Sequence, residues 1–191
     1  MIDAVNSTLG VLGLLGQIAA AGLLVAVVAA IASPRVRARL VTSWSALQRQ
    51  ALWAAWGVAV VATAGSLFFS EVADYIPCQL CWYQRICMYP LAVTLLVGAL
   101  VRDRLAALYS LVFPLVGIAV AARHIYIEAN PEAESASCKV GAPCSTKWIE
   151  EFGYITIPVL ALTAFVLILI LAGIALIAGL KADRGGPPDT D

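Results

Sequence analysis

Five uninterrupted apolar stretches, residues 8–32, 51–69, 82–100, 105–122 and 155–180, leave this chain few folds to choose from. Each is near or above the roughly 18–20 residues that an α-helix needs to cross a hydrocarbon layer of about 30 Å. Inside lipid a backbone must satisfy its own N–H and C=O groups, which helices and closed barrels achieve. The stretches lack the apolar/polar alternation of barrel strands, so the expected fold is all-α, with five transmembrane helices in one membrane domain. Composition agrees. Of 191 residues, 62% are hydrophobic and 13% charged, too few polar side chains to cover a water-soluble globule of this size. A formal net charge of zero offers neither a basic footprint for nucleic acid nor an acidic tail, so the expected surroundings are membrane lipid and no nucleic acid. The first stretch is expected to be retained, because its leader MIDAVNST has no Lys or Arg and the run exceeds the roughly 7–15 residues of a signal-peptide core.

Charge sets the expected orientation. Arg35, Arg37, Arg39 and Arg49 fill the first connection, Arg102 and Arg104 the third, and Lys181 and Arg184 the tail. Basic residues collect on the cytoplasmic side of a membrane. The other side carries Arg85, Arg123, Lys139 and Lys147 among Glu71, Asp74, Glu128, Glu132, Glu134, Glu150 and Glu151. The sequence therefore predicts a multi-pass protein of the cell membrane with its N-terminus outside and its C-terminus cytoplasmic. Two connections, 70–81 and 124–154, then fall outside.

Four of the five cysteines lie in or beside those outer connections: Cys78 and Cys81 in "IPCQLCWYQR", and Cys138 and Cys144 in "CKVGAPC". Outside the cytosol, thiols tend to be oxidised and paired. The first pair follows Pro77 and sits where a helix is expected to begin, at about residue 81 or 82, so free N–H groups and the positive end of the helix dipole favour a thiolate there. Arg85, four residues beyond Cys81, lies on the same helix face one turn deeper. A purely structural disulfide is the competing interpretation, but a Cys-x-x-Cys bridge closes too short a loop to stabilise much. A zinc site is also conceivable, with His124 between the pairs, although the wider spacing of the second pair does not suit it and no metal is expected. Covalent haem attachment needs a His directly after the second cysteine, where Trp82 stands instead. Cys87, within the third span, is expected to be a packing residue.

Residues 78–90, "CQLCWYQRICMYP", together with "CKVGAPC" between the next two core spans, resemble the DsbB family of quinone-reducing, disulfide-generating membrane proteins, and especially its BdbC branch. Vitamin K epoxide reductases share the four-helix redox plan, but there the loop pair precedes the Cys-x-x-Cys. The resemblance covers roughly residues 51–180. It implies a four-helix redox core over 51–180, an extra N-terminal helix and linker over 1–50 and a tail over 181–191. It further implies an enzyme that reoxidises an extracytoplasmic thioredoxin-fold thiol oxidase of the DsbA/BdbD type and delivers the electrons to a quinone, menaquinone or ubiquinone. The DsbA, DsbB and quinone relay is itself a standard example of redox poise. Carried onto this chain, the resemblance makes Cys81 the quinone-facing thiolate, Cys78 its exchange partner, Cys138 the sulfur attacked by the oxidase, and Cys144 the link to Cys78. Arg85 becomes the quinone-stabilising charge. His124, at the outer end of the fourth span, and Trp82, at the outer end of the third, are the further candidates for the quinone site, though both residue types also settle at interfaces without other duties. A quinone reductase resembling vitamin K epoxide reductase and a non-catalytic membrane protein with structural disulfides are the alternatives.

Some local features round out the expectations. Gly141 and Pro143 favour a turn that closes a short, exposed disulfide loop. Trp148, Ile149 and Phe152 are spaced for a short interfacial helix. Ala55, Ala59 and Thr63 form a small-residue stripe for close helix packing, and Pro90, Pro114 and Pro158 are candidate kinks. The first helix, rich in Ala, Val, Leu and Gly, is expected to be a peripheral anchor.

Overall fold

The computed structural model describes residues 2–101, 108–139 and 142–184. Arg102, Arg104, Leu105 and Gly141 lie outside the described residues, as does the tail beyond 184. The elements are α1 (Ile2–Ala32), α2 (Pro34–Glu71), α3 (Gln79–Val101), α4 (Val112–Ala129) and α5 (Ile157–Arg184), with two single-turn 3₁₀ segments between α4 and α5. Five segments among the described residues are long and apolar enough to cross a membrane. The chain is an all-α, multi-pass membrane protein.

Prolines and turn residues explain the boundaries. Pro34 opens α2, where its fixed φ suits a helix and its missing N–H is not needed. Residues 34–50, expected as a linker, are therefore the first turns of α2, which their Ala, Leu, Arg and Gln content favours. Asp74 ends the excursion after α2 in the left-handed region (φ 54°), which Asp tolerates, and the Tyr75 N–H bonds the Phe69 carbonyl at 2.8 Å. The helix before α4 is interrupted at Leu111, three residues ahead of Pro114, whose ring and missing N–H disfavour a bond to Ser110. Pro158 sits in the first turn of α5, where a proline is tolerated, and α3 continues through Pro90.

Helices α2, α3 and α5 share a core in which Ala55 and Ala59 meet Leu91, Leu95, Phe165 and Ile168. The small side chains on α2 admit close approach, as their spacing suggests. Cys87 belongs to this core. Helix α4 packs on α3 and α5, and Gly117 makes room for the Phe165 ring, which a Cβ at residue 117 would meet at 2.5 Å. The first helix is more than an anchor: it packs against both α2 and α5. Gly10, Gly13 and Gly16 form its contact face, and a Cβ on Gly13 would collide with Leu160. Its N-terminal end is level with the Cys-x-x-Cys turn, since Asn6 Nδ2 donates to Tyr75 Oη at 3.5 Å.

The expected interfacial helix over 148–152 does not form. Glu151 and Ile155 exchange N–H···O bonds of 2.9 and 2.8 Å, closing a tight turn with Phe152 at φ 54° and Gly153 at φ 76°. Gly153 accepts that conformation without a Cβ penalty. Trp148 stacks on Tyr75, with ring centroids 5.0 Å apart, instead of lying with Phe152 on one helical stripe.

Candidate functional site

Cys78 is the residue immediately before α3, and it caps the helix. Its carbonyl accepts from the Trp82 N–H at 3.1 Å, while its sulfur accepts from the Cys81 N–H at 3.3 Å, satisfying one of the orphan donors of the first turn. The helix thus starts at Gln79, three residues before the apolar run, because Cys78 serves as its cap. The two sulfurs are 2.9 Å apart. Cys78 is buried, and its pKa is pushed up to about 12 by the hydrogen bond its thiol makes with Cys81 and by burial, with His124 opposing. The Cys78 thiol therefore keeps its proton.

The two sulfurs of this pair face different surroundings. Cys81 lines a cavity of about 370 Å³ between α1, α2, α3 and α5. Gln84, Arg85 and Ser66 join it at the outer end, and the remaining wall is almost wholly apolar. From Phe69 to Gly57 along α2 the cavity runs about 18 Å toward the bilayer centre. Arg85 is buried, donates to Ser66 Oγ at 3.0 Å and to the Ser66 carbonyl at 2.9 Å, and has no ion-paired carboxylate among the described residues. Phe69, at the top of the cavity, stacks on Tyr75, which in turn stacks on Trp148.

Cys78 faces the other way, into a buried cluster with Cys138, Cys144 and Ile127. The Cys144 sulfur packs in this cluster with Cys78, 4.0 Å from the Cys138 carbonyl. Burial, and then its contacts with Cys138 and Cys78, push the Cys144 thiol well above the ordinary thiol range, with the Leu80 amide opposing. The loop pair was expected to be exposed. Instead Cys138 is 2% and Cys144 0% exposed, because the second outer connection folds back onto the start of α3. One set of bonds braces the connection internally, and two contacts tie it to α4. Glu134 accepts from the Cys144 N–H, from the Ser145 N–H at 3.2 Å and from Ser145 Oγ at 3.3 Å. Arg123 donates to the Ala133 carbonyl at 3.0 Å, and His124 Nε2 lies 3.0 Å from the Cys144 carbonyl.

His124 is buried near the outer end of α4, 3.6 Å from the Cys78 sulfur. Gln84 Nε2, which can only donate, is 3.0 Å from Nδ1. Nδ1 is then the acceptor, and the ring proton sits on Nε2, shared between the Cys144 carbonyl and Cys78. The structure thus places His124 on the thiol side of the Cys-x-x-Cys, outside the cavity wall. Trp82 also lies outside that wall, 53% exposed, with the Arg85 guanidinium 5.1 Å from its ring centroid. Sequence reasoning missed Gln84, Ser66 and Glu134. A polar Gln beside Arg85 within an apolar run was a usable signal, whereas nothing local marks Glu134. Sulfur and nitrogen atoms of Cys78, Cys81 and His124 lie within 4.8 Å of one another, the contact that joins the helix-cap thiol to the imidazole.

A helical membrane bundle that gathers four cysteines beside a buried arginine and an apolar cavity is built as a membrane thiol–disulfide redox protein. The family model described as "Disulfide bond formation protein DsbB" matches residues 48–175, and the chain belongs to that family of disulfide bond formation proteins. The chain is 49% identical over 116 residues to the "Probable disulfide formation protein C" of Halalkalibacterium halodurans, covering 60% of this chain and 85% of the relative. It is 43% identical over 134 residues to the "Disulfide bond formation protein C" of Bacillus subtilis, covering 69% and 95%. No solved structure matches. The family match leaves α1 outside it.

Proposed function

We propose that this protein reoxidises an extracytoplasmic thioredoxin-fold thiol oxidase and passes the electron pair to a membrane quinone. The observation that carries this reading is the cavity with Cys81 and Arg85 at one end. Its volume of about 370 Å³ suits a small ligand. A buried guanidinium without an acidic partner among the described residues is costly unless it meets negative charge. The combination fits a quinone, with ring oxygens toward Arg85 and Gln84 and the isoprenoid tail along the apolar wall. A bound quinone supplies an acceptor for two electrons and two protons. Arg85, held by Ser66, is positioned to orient the ring oxygens, and the aromatic stack of Phe69, Tyr75 and Trp148 excludes water from above.

The thiol chemistry follows the placement of the sulfurs. Once the second outer connection lifts away and exposes Cys138, a dithiol of the partner oxidase attacks Cys138 in a Cys138–Cys144 disulfide, and its second sulfur completes the exchange. The partner leaves as a disulfide, with both loop sulfurs reduced. Cys144, the sulfur expelled as a thiolate when Cys138 is attacked, then attacks Cys78 in a Cys78–Cys81 disulfide and expels Cys81 as a thiolate. Cys138 next attacks Cys144, restoring the loop disulfide and releasing Cys78. His124 Nε2–H lies within hydrogen-bond reach of that leaving sulfur, which takes up the proton given up by Cys138. Two electrons now reside on the reduced Cys78/Cys81 pair, with the proton on Cys78 and the charge on Cys81 at the cavity. The redox loops and the N-terminal end of α1 share one end of the bundle, which the distribution of basic residues assigns to the outside.

The reading is tested anaerobically with purified protein, a reduced thioredoxin-fold oxidase and a soluble quinone, following quinone absorbance. Cys78→Ser and Cys81→Ser should abolish reduction. Cys138→Ser should lose turnover with the protein substrate and retain it with a small dithiol. Equal activity in all three variants would defeat the relay.

A further inference from the structure

We propose that α1 is a wall of the quinone cavity and makes it selective for quinones bearing an isoprenoid tail, an inference that rests on the quinone reading above. Leu9, Leu12, Gly13 and Gly16 line the cavity together with α2, α3 and α5. The register of α1 is fixed by its contacts. Leu9 lies 3.4 Å from where a Cβ on Gly65 would stand, so it faces the level of Ser66 and Arg85. Leu12 and Gly16 follow one and two turns deeper along the apolar part of the cavity. The contribution of α1 therefore falls mostly below the ring position.

Its attachment is specific. The missing side chain at Gly13 admits Leu160, and a Cβ on Gly16 would stand 3.1 Å from Thr163 Cγ2. Tyr154 Oη donates to Gln17 Oε1 at 2.8 Å, and Gln17 Nε2 donates to Thr163 Oγ1 at 3.4 Å. A polar staple of this kind in the membrane pins both rotation and depth of the helix, which a simple tether does not require. Leu12 and Val61, each 48% exposed, flank the cavity where α1 meets α2. That seam gives an apolar tail a way in from the bilayer, while the ring sits at the polar end. Without α1 this side of the cavity is open to lipid along its length, and a tail gains little by leaving the bilayer.

The test is equilibrium binding of two radiolabelled probes to the full-length protein in lipid nanodiscs: a menaquinone with two isoprene units, and the chainless 2-methylnaphthoquinone. The readout is the ratio of the two affinities. In the parent protein the tailed probe should bind at least tenfold more tightly. Leu12→Trp, which fills the mouth without touching the α1–α5 contact, should lower that ratio about tenfold, the loss expected for roughly ten close carbon–carbon contacts of the tail. Leu12→Met should preserve it. Gly13→Leu, which drives α1 off α5, should lower it as well, with Gln17→Leu as a milder version. An unchanged ratio in Leu12→Trp and Gly13→Leu, with both probes still bound, overturns the role of α1 alone. Failure of the parent protein to bind either probe overturns the quinone reading and this inference with it.

Discussion

Replacing Glu134 by Ala tests whether an internal brace keeps the second outer connection folded as a latch over the Cys-x-x-Cys. The carboxylate takes hydrogen bonds from the amides of Cys144 and Ser145 and from the Ser145 hydroxyl. Hydrogen bonds to a charged group are worth roughly 1.5–3 kcal/mol each when desolvated. Glu134 is half-buried, and in the open form water replaces the lost partners, so each of the two amide bonds contributes about 1 kcal/mol net and the hydroxyl bond adds little. A net loss of about 2 kcal/mol then shifts the closed-to-open ratio about 30-fold. Because both loop sulfurs are almost fully buried when closed, their modification reports the open population. The assay is maleimide labelling of the fully reduced protein, read peptide by peptide by mass spectrometry. Labelling of Cys138 and Cys144 should accelerate roughly 10- to 30-fold in Glu134→Ala, by the same arithmetic. Glu134→Gln, which keeps one acceptor oxygen, should fall between. Cys87, buried in the bundle core, serves as the internal standard and should label at the parent rate. Parent-like labelling of both loop cysteines in Glu134→Ala would refute the latch.

Further expectations concern the pocket, the thiols and the packing. Arg85→Ala should raise the apparent quinone KM about tenfold, a loss of the size expected for one charge-assisted hydrogen bond, with Arg85→Lys intermediate; unchanged quinone kinetics would remove Arg85 from the site. Cys81→Ala removes the largest cause of the elevated Cys78 pKa of about 12, so the midpoint of the Cys78 alkylation rate against pH should move down toward the ordinary thiol range, and a midpoint that stays put would contradict the Cys78–Cys81 hydrogen bond. The sign for stability is also determined: in the reduced parent, the hydrogen bond with Cys81 and then burial favour the neutral Cys78 thiol, so this contribution is intact below about pH 9 and is lost as pH rises from about 9 to about 12. Gly117→Val should place a Cβ against the Phe165 ring and cost roughly 1–3 kcal/mol by overpacking, visible as a lower Tm in detergent; an unchanged Tm would mean that α4 shifts freely on α5.

Hydropathy made the five spans legible, because burying a long apolar helix in lipid is a property of the segment itself. The placement of the Cys-x-x-Cys at a helix start was legible for the same reason, since capping is a matter of a few consecutive residues. Reading failed where distant residues decide. Trp148, Ile149 and Phe152 have helical spacing, yet Tyr75 supplies a stacking surface and Gly153 a left-handed turn, and these outweigh a single amphipathic turn. The loop disulfide reads as exposed from "CKVGAPC", but Arg123 and His124 of α4 draw the segment inward and Glu134 braces it internally. His124 was legible as a polar residue at a helix end, but its direction, toward Cys78 and Gln84, depends on how α4 packs against α3.

The amino-acid sequence by itself determined that this is a helical membrane protein with two cysteine pairs at one end and an arginine one helical turn beneath the first. Hydrophobic transfer and helix capping are local free energies, summed along short segments, and composition is enough to evaluate them. Only the tertiary structure decided which sulfur looks into the cavity and which toward the loop, that both loop sulfurs are hidden when closed, and that the first helix completes the cavity. Those outcomes come from gaps and contacts between helices, whose spacing is set by pairs such as Gly13 with Leu160 and Gly117 with Phe165, far apart in the chain and without a signature in either segment alone.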